Sequence, residues 1–190
     1  VFDGNRGQLD VALVMKQVGV LFWSNVTFIN NQAAVVPSSQ IVRVEHTATV
    51  DWHWTKLNMS GNFGDVFVKA HSGQWLWTHS SVANNTATNI ATVRVESALG
   101  AISYQLINVT FSTNGQDTGL STTTLSMTFN GQSNGTLSDL HFVGNIQNDA
   151  THLRLNGASP SSIMIENSEW IDQPNRALHV RLQAPATVAK

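Results

Sequence analysis

The pattern that decides the fold of this chain is LFWSNVTFINN, residues 21–31. Counted from Leu21 as position 0, apolar side chains stand at positions 0, 2, 5 and 7, and an Asn stands at position 10. Apolar residues two apart share one face of a β-strand. The step of three between positions 2 and 5 is one residue too long for a continuous strand. The stretch therefore predicts two short strands joined by a tight bend.

The same pattern recurs along the chain. Copies begin at Leu21, Trp52, Trp75, Tyr104, Gly135 and Ile163. Their position 7 is Phe28, Met59, Val82, Phe111, Phe142 and Trp170, at spacings of 31, 23, 29, 31 and 28 residues. A period of roughly 20–50 residues is typical of solenoids, in which each repeat packs only on its neighbours. We therefore expect one solenoid domain over residues 1–190.

The bend between the two strands falls on position 4. Its occupants are Asn25, Lys56, His79, Asn108, Asp139 and Asn167. Asn and Asp tolerate left-handed backbone geometry better than most residues, so they suit a corner.

A third strand of alternating apolar and polar residues completes each coil. Its clearest examples are residues 42–45 (VRVE), 66–69 (VFVK) and 93–96 (VRVE). Weaker examples are residues 125–128, 153–156 and 178–181, and Leu13 with its neighbours supplies this strand for the first coil. Three short strands per turn, stacked on the same strands of the next turn, predict an all-β, right-handed parallel β-helix of about six coils.

The coils resemble a known family. Residues 24–31 (SNVTFINN) and 107–114 (INVTFSTN) look like coils of the right-handed parallel β-helix, or pectin-lyase-like, superfamily, and the likeness covers about residues 10–183. The Phe-x-x-Asn segments at 28–31, 111–114 and 142–145 are similar to repeats of polymorphic outer-membrane adhesins, whose companion Gly-Gly-Ala-Ile element is missing here. The resemblance implies the fold and leaves the activity open, because this fold hosts lyases, hydrolases, phage tailspikes and inert adhesin shafts.

Stacking gives each repeated residue a partner of its own kind. Neighbouring coils lie about 4.8 Å apart, a spacing that allows ladders of identical side chains. Position 10 predicts a structural ladder of amides at Asn31, Asn62, Asn85, Asn114 and Asn145, followed by Gln173. Position 2 predicts an interior ladder of stacked rings at Trp23, Trp54 and Trp77, which we interpret as core rather than as a sugar-binding platform.

Composition fits a rigid, solvated extracellular object. Charged residues make up 12% of the chain, against about 25% in typical domains, while Asn, Ser and Thr occur 18 times each. A net charge of -2 gives no reason to expect nucleic acid or an acidic membrane as partner. No apolar run is long enough to span a bilayer, so we expect no membrane insertion. The absence of Cys excludes a disulfide framework, a Cys-based zinc site and a Cys nucleophile.

The two ends of the sequence read like the middle of a solenoid, and the chain opens on Val1 rather than on Met. We therefore expect an excerpt of a longer, secreted or cell-surface protein.

Five Asn-x-Ser/Thr sequons mark conditional glycosylation sites, which apply if the source is eukaryotic and secreted. They begin at Asn25, Asn58, Asn84, Asn108 and Asn134. Strand parity points Asn58 outward, and Asn84 and Asn134 are expected in connections, so these three rank first. Asn25 and Asn108 occupy the bend, where the side chain is expected to bond the backbone instead.

The outward face of the third strand carries most of the regularly spaced charges. One row is predicted to stack as Arg43, Phe67, Arg94, Ser126, Arg154 and His179. The adjacent row is predicted as Glu45, Lys69, Glu96, Thr128, Asn156 and Arg181, and its alternating charges predict a cross-strand ladder of ion pairs. No two carboxylates are neighbours in either row. The resemblance implies that a lyase would need a calcium-binding carboxylate cluster or a Lys/Arg base, and a hydrolase several close Asp with a Gly-His-Gly segment.

Acids and imidazoles are expected to converge near one corner of the second and third coils. Glu45, Asp51, His53 and His71 are the weak candidates for a catalytic site, with His46 beside them, since His and Asp serve as metal ligands or as an acid/base pair. Their spacings match no ligand signature, and Asp51 and His53 flank Trp52 on an outer strand face where polar residues are expected anyway. We therefore predict no catalytic residue, no metal and no cofactor.

Short connections and flat strand faces favour packing or adhesion over turnover. The sequence predicts a non-catalytic structural or adhesive β-helix module, with glycans or other segments of the same assembly as partners and homo-oligomerisation as an open question. The alternative is a carbohydrate-active module of the polysaccharide lyase, glycoside hydrolase or phage tailspike kind.

Overall fold

The structure, a computed structural model, describes residues 1–7, 10–16, 20–34, 40–45, 49–87, 91–98, 100–115, 123–146, 149–155, 161–173, 176–182 and 186–189. These residues form parallel β-strands and no helix, wound into a β-solenoid of about five turns with three strands per coil. The predicted fold class is confirmed.

Twenty strands follow one another along the chain. They are β1 (Phe2–Asp3), β2 (Arg6–Gly7), β3 (Asp10–Lys16), β4 (Val20–Ser24), β5 (Thr27–Ile29), β6 (Gln32–Ala33), β7 (Gln40–Glu45), β8 (Thr49–Thr55), β9 (Asn58–Ser60), β10 (Asp65–Ala70), β11 (Ser72–Ala83), β12 (Ala91–Ser97), β13 (Ile102–Ser112), β14 (Thr123–Phe129), β15 (Ser133–Val143), β16 (Asp149–Leu155), β17 (Ser161–Glu166), β18 (Glu169–Ile171), β19 (Arg176–Leu182) and β20 (Ala186–Ala189).

The strands pair in parallel, each with its counterpart one coil away. The third strands form a seven-stranded sheet in the order β19-β16-β14-β12-β10-β7-β3. The first and second strands of the coils belong to one larger sheet, because β11, β13 and β15 each continue around the first corner. Position 0 stacks in register from Leu21 through Trp52, Trp75, Tyr104 and Gly135 to Ile163, as the repeat predicted.

Each coil turns at residues with left-handed backbone geometry. All six residues at position 4 have positive φ, from 48° at Asn167 to 55° at Asn25, and this confirms the predicted bend. A second left-handed corner lies at position 9. It is formed by Asn30, Gly61, Asn84, Thr113, Gly144 and Asp172. The repeat did not predict the second corner, since its residue types vary from coil to coil.

The Asn ladder at position 10 is present, and its side chains are buried. Asn114 is representative: its Oδ1 accepts hydrogen bonds from the backbone N–H and the Nδ2 of Asn85, at 3.0 and 3.1 Å. Its own Nδ2 donates to the carbonyl oxygen of Val82 at 2.8 Å and to Oδ1 of Asn145 at 2.9 Å. Two acceptor sites and two donors are thus all used, which is what a buried amide requires.

The same ladder extends beyond the predicted residues at its start and changes chemistry at its end. Asn5 donates to Oδ1 of Asn31, at 2.8 Å from its Nδ2. At the other end Gln173 donates from Nε2 to the carbonyl oxygen of Phe142 at 3.1 Å, the bond that an Asn makes in the other coils. The ladder therefore runs along the whole described solenoid and holds neighbouring coils together at this corner.

Aromatic rings fill the interior of the first four coils. Trp23, Trp54 and Trp77 are buried, at 7%, 1% and 0% exposure. Trp23 and Trp54 stack, with ring centroids 5.1 Å apart, whereas Trp54 and Trp77 meet edge to face at 82°. The prediction that these three residues are buried and in register is confirmed, and only the first pair also stacks ring on ring. Trp75, in the same coil as Trp77, also meets Trp54 edge to face. The quadrupoles of aromatic rings favour this arrangement.

Position 5 is not always apolar, because Ser80 occupies it in the third coil. This buried hydroxyl donates to the carbonyl oxygen of Thr78 at 2.8 Å and accepts from the backbone N–H of Leu57 at 3.0 Å. Ser168 makes the equivalent pair of bonds with Glu166 and Leu140 in the sixth coil. Serine at position 5 therefore supplies hydrogen bonds to backbone groups just after the corner, where the backbone hydrogen bonding between strands is interrupted.

One predicted register is wrong by two residues. In the seven-stranded sheet Ser126 pairs with His152, and Thr128 pairs with Arg154. Arg154 thus belongs to the row of Glu45 rather than to the row of Arg43, and Asn156 lies outside the described residues. A slip of two residues keeps every side chain on the same face, so alternation alone could not fix this register.

Candidate functional site

The outward face of the first strands carries sizeable depressions among the described residues. We call this surface the first-strand face; its two outer rows flank position 0. The row before position 0 runs Val20, Asp51, Gln74, Ser103, Asn134 and Ser162. The row after it runs Phe22, His53, Leu76, Gln105, Thr136 and Met164.

Three shallow depressions on this face join into one groove along the solenoid axis. Ser103 lines all three of them, and Gln74, Gln105 and Asn134 each line two. Asp51 lines the depression nearest the start of the solenoid, and Ser162 lines the one nearest its end. We call the surface formed by these six residues the polar groove.

The polar groove offers unused hydrogen-bonding groups. The amides of Gln74 and Gln105 and the hydroxyl of Ser103 are exposed, and their side chains make no hydrogen bond within the described residues. Asp51 accepts a bond from the backbone N–H of Gln74 at 3.2 Å, and Asn134 accepts one from the hydroxyl of Ser162 at 2.9 Å. Asp51 is its one carboxylate, so the groove is polar and nearly uncharged.

The backbone of a glycine lines part of the groove. Gly135 occupies position 0 of the fifth coil, and a Cβ there would lie 2.2 Å from the ring of Tyr104. The Tyr104 ring therefore fills the interior space that a position-0 side chain of the fifth coil would take. On the outward side, Ser103, Gln105, Asn134 and Ser162 line the same depression as Gly135.

An exposed aromatic platform lies at the start of the same face. Phe22 is 67% exposed, and its ring stacks on that of His53 with centroids 5.6 Å apart. Val20, beside it in the neighbouring row, is 63% exposed. Apolar and aromatic surface beside unpaired amides is a combination typical of binding faces.

The four catalytic candidates from the sequence do not converge. Glu45 ends β7 in the seven-stranded sheet, whereas Asp51 and His53 lie on the first-strand face and His71 lies at the turn between β10 and β11. Within the described residues no hydrogen bond or ion pair joins any two of them, and no three His, Asp or Glu side chains are close enough to share a metal ion. His46 lies outside the described residues.

The predicted ladder of cross-strand ion pairs takes a different form. Lys69 does stand between Glu45 and Glu96 in register. The ion pairs, however, lie within single strands: Arg43 bonds Glu45 at 2.8 Å, and Arg94 bonds Glu96. Both arginines are two residues before their partners, so the guanidinium reaches along the strand. Arg94 also lies over the ring of Phe67, 5.0 Å from its centroid.

All five sequon asparagines are exposed. The reasons given for ranking them need correction. Asn134 lies within β15 rather than in a connection, and Asn84 forms the second corner, where it accepts a bond from Thr113 at 2.6 Å. Asn25 and Asn108 have the expected left-handed geometry, but neither side chain bonds the backbone within the described residues.

Comparison with protein-family models, with curated proteins and with solved structures found no match for this chain. Within the described residues there is no helix with the length and apolarity needed to cross a membrane.

Sequence reasoning named Asp51 as a catalytic candidate and expected the sequon residue Asn134 in a connection. It did not single out the other groove residues, which are Gln74, Ser103, Gln105 and Ser162. The available signal was the run of uncharged amides and hydroxyls immediately before position 0, at Gln74, Ser103, Asn134 and Ser162, together with the single glycine at position 0.

Proposed function

We propose that this chain is a non-catalytic adhesive module of a secreted or cell-surface protein, and that its polar groove binds an extended neutral glycan. The observation that carries the proposal is the unpaired set of Gln74, Ser103 and Gln105 on the same face as the exposed Phe22 ring. Amides and hydroxyls match the donors and acceptors of sugar hydroxyls, and aromatic faces pack on the apolar faces of sugar rings. The scarcity of charge disfavours acidic polymers.

The spacing of the coils supports a polymeric ligand. Equivalent side chains in neighbouring coils repeat at about 4.8 Å, which is close to the length of one sugar in an extended pyranose chain. A glycan lying along the axis would therefore meet one pair of outward side chains at every sugar residue. Rigid, repeated contacts of this kind add affinity at low entropic cost.

The proposal extends to family and location. Membership of the pectin-lyase-like superfamily is supported by the parallel solenoid and its Asn ladder, and kinship with adhesin repeats by the Phe-x-x-Asn corners at Phe28, Phe111 and Phe142. Extracellular exposure is supported by the exposed sequons, of which Asn134 lies in the polar groove itself.

A carbohydrate-active enzyme is the second candidate function. It is favoured by Asp51 and His53, because both line depressions of the same groove. A single carboxylate beside an imidazole could serve as a general acid or base, although glycoside hydrolysis ordinarily uses two carboxylates. Glu45 belongs to a different sheet, so it does not supply the second one.

Titration calorimetry and reducing-end assays on one polysaccharide panel separate the two functions. The panel contains neutral glucans, xylans and mannans together with polygalacturonate and alginate. We expect binding of at least one neutral polymer with no new reducing ends and no unsaturated products. Gln105→Ala should weaken binding up to about tenfold, as expected for one lost hydrogen bond.

The matched control is Thr110→Ala, a polar residue on the outward row of the second strands. Its affinity should equal that of the parent. If the parent cleaves a polymer and Asp51→Asn does not, the adhesive function is rejected and the enzymatic function is supported. Failure of every neutral polymer to bind would reject the polar groove as a glycan site.

A further inference from the structure

The polar groove widens on one side, towards the beginnings of the first strands. The depression that contains Asp51 has a volume of about 600 Å³, within the range of about 300–1,000 Å³ that is typical of small-molecule pockets. On this side it reaches residues that line neither of the other two depressions. Its outward lining there consists of Thr49, Ser72, Gly73, Gly100, Ala101 and Gln132. We call the space formed by these six residues the side notch.

One outward row of residues from four neighbouring coils forms most of the side notch. The row runs Thr49, Ser72, Ala101 and Gln132. It lies two residues before the row of Asp51 along each strand, which is an offset of about 7 Å at the strand rise of about 3.3 Å per residue. The smallest side chains, Ser72 and Ala101, stand in the middle, with Thr49 and Gln132 at the two ends. The side notch is therefore open towards the groove and bounded along the solenoid axis.

Two glycines contribute only backbone to the side notch. A Cβ at Gly73 would lie 1.8 Å from the carbonyl oxygen of Val50, and a Cβ at Gly100 would lie 2.5 Å from the Cβ of Ser72. Neither position accepts a side chain without a shift of its neighbours. Ala101 is exposed, so it is the position at which a larger side chain fills the side notch.

Polar groups with unused hydrogen-bonding capacity border the side notch. Oδ1 of Asp51 accepts the backbone N–H of Gln74 at 3.2 Å, and its Oδ2 accepts no bond within the described residues. The exposed amide of Gln132 makes no side-chain hydrogen bond in the described part of the chain. Thr49 and Ser72 bond each other through their hydroxyls at 2.8 Å. A carboxylate oxygen accepts strong, charge-assisted bonds from hydroxyl groups, so this lining matches a small ligand rich in hydroxyls.

We propose that the side notch binds a single-sugar branch of the glycan whose backbone lies in the polar groove. The ligand class is then a neutral polysaccharide that carries monosaccharide side branches, and this inference rests on the glycan-binding function proposed above. A backbone that follows the solenoid axis passes the row of Asp51, and a sugar attached to it extends sideways by about one ring length, which matches the offset of the side notch. Because Thr49 and Gln132 bound the side notch along the axis, it takes one ring rather than a second polymer.

Calorimetry with matched pairs of neutral oligosaccharides tests this proposal on the 190-residue chain made without glycosylation. Each pair has the same backbone with and without single-sugar branches: galactosylated and plain mannan fragments, arabinosylated and plain xylan fragments, and xylosylated and plain glucan fragments. We expect the branched member of at least one pair to bind about tenfold more tightly, as expected for one or two additional hydrogen bonds. Ala101→Trp should remove this difference and leave the affinity for the plain fragment unchanged, because the indole fills the side notch alone.

Ala83→Trp is the matched control, since Ala83 lies on the outward row of the second strands, away from the side notch. It should keep the preference for the branched fragment. Cooperative thermal melting verifies that each variant is folded; if Ala101→Trp is not, Ala101→Leu replaces it. Equal binding of branched and plain fragments by the parent, or a preference that persists in the folded Ala101 variant, would overturn the side notch and leave the glycan-binding function standing. If no fragment of either kind binds, both proposals are rejected.

Discussion

At the scale of single residues, the structure contains buried polar groups that are fully paired and others that are not. Asn114 uses all four of its hydrogen-bonding sites. The hydroxyl of Tyr104 is equally buried and has no hydrogen-bond partner within the described residues. A paired group stabilises the fold, whereas an unpaired one costs free energy. These two residues therefore respond to mutation in opposite ways.

Asn114→Ala should lower the free energy of unfolding by about 3 kcal/mol or more, because it leaves several buried partners without a bond. Chemical denaturation measures the change. The control is Asn58→Ala, which removes an exposed amide that makes no side-chain bond within the described residues, and it should stay within about 0.5 kcal/mol of the parent. Equal stability of both variants would refute a structural role for the ladder.

Tyr104→Phe should leave stability near neutral pH unchanged or slightly raised. Burial raises the pKa of the Tyr104 phenol above its ordinary value of about 10. The unfolded chain therefore releases this proton at a lower pH than the folded chain does. Stability is intact below about pH 10 and falls as the pH rises above it. A phenyl ring has no such proton to release, so the variant should lose less stability than the parent in alkali.

Tyr104 is the only tyrosine in the chain, so the tyrosinate absorbance near 295 nm reports on this residue alone. In the parent it should appear together with unfolding, as followed by circular dichroism. Tyrosinate absorbance that rises near pH 10 in the folded protein would show that the phenol is accessible to solvent.

At the scale of strands and corners, the sequence carried most of the architecture. Apolar spacing predicted the stacked rows at positions 0, 2 and 7, and Asn or Asp at position 4 predicted a corner. Two features of the architecture were not predicted from the sequence. The corner at position 9 uses Asn, Gly, Thr and Asp, a mixture without one recognisable type. The pairing of Thr128 with Arg154 differs from the predicted register by two residues, which preserves the alternation.

The first corner offers a stabilising substitution. Lys56 is exposed and has a φ of 53°, a geometry that strains a residue with a Cβ. Lys56→Gly should raise the free energy of unfolding by about 0.5–1 kcal/mol, the relief of strain minus the entropy that glycine adds to the unfolded chain. Thr55→Gly, one residue earlier in β8, should be destabilising. If Lys56→Gly were as destabilising as Thr55→Gly, position 4 would not be a left-handed corner.

At the scale of the whole molecule, the polar groove arises only when the coils are stacked. Gln74, Ser103 and Asn134 come from three different coils, and the depression that they line together forms only when those coils stack. No local motif encodes such a surface, so the sequence could predict its strands and not its shape. The groove and the exposed aromatic platform both lie on the first-strand face.

Glycosylation at Asn134 should control access to this surface. A glycan attached there would cover the middle of the polar groove, whereas one at Asn58 would lie on the outward row of the second strands. Protein made in a glycosylating host should therefore bind neutral polysaccharide more weakly than unmodified protein. Thr136→Ala removes the sequon, so this variant should bind equally well whether or not its host glycosylates, while Ser60→Ala, which removes the sequon of Asn58, should remain weakened by glycosylation like the parent.

Binding of neutral oligosaccharides of increasing length tests the central claim most directly. The outward row from Phe22 to Met164 spans six stacked strands, so a glycan along the axis gains contacts with each sugar added. Calorimetry with a length series of the polymer that binds should show affinity rising up to about six residues, at the roughly 4.8 Å spacing of the strands, and then levelling off. Affinity that is independent of length, or that is unchanged in Gln105→Ala, would contradict a groove that reads an extended chain.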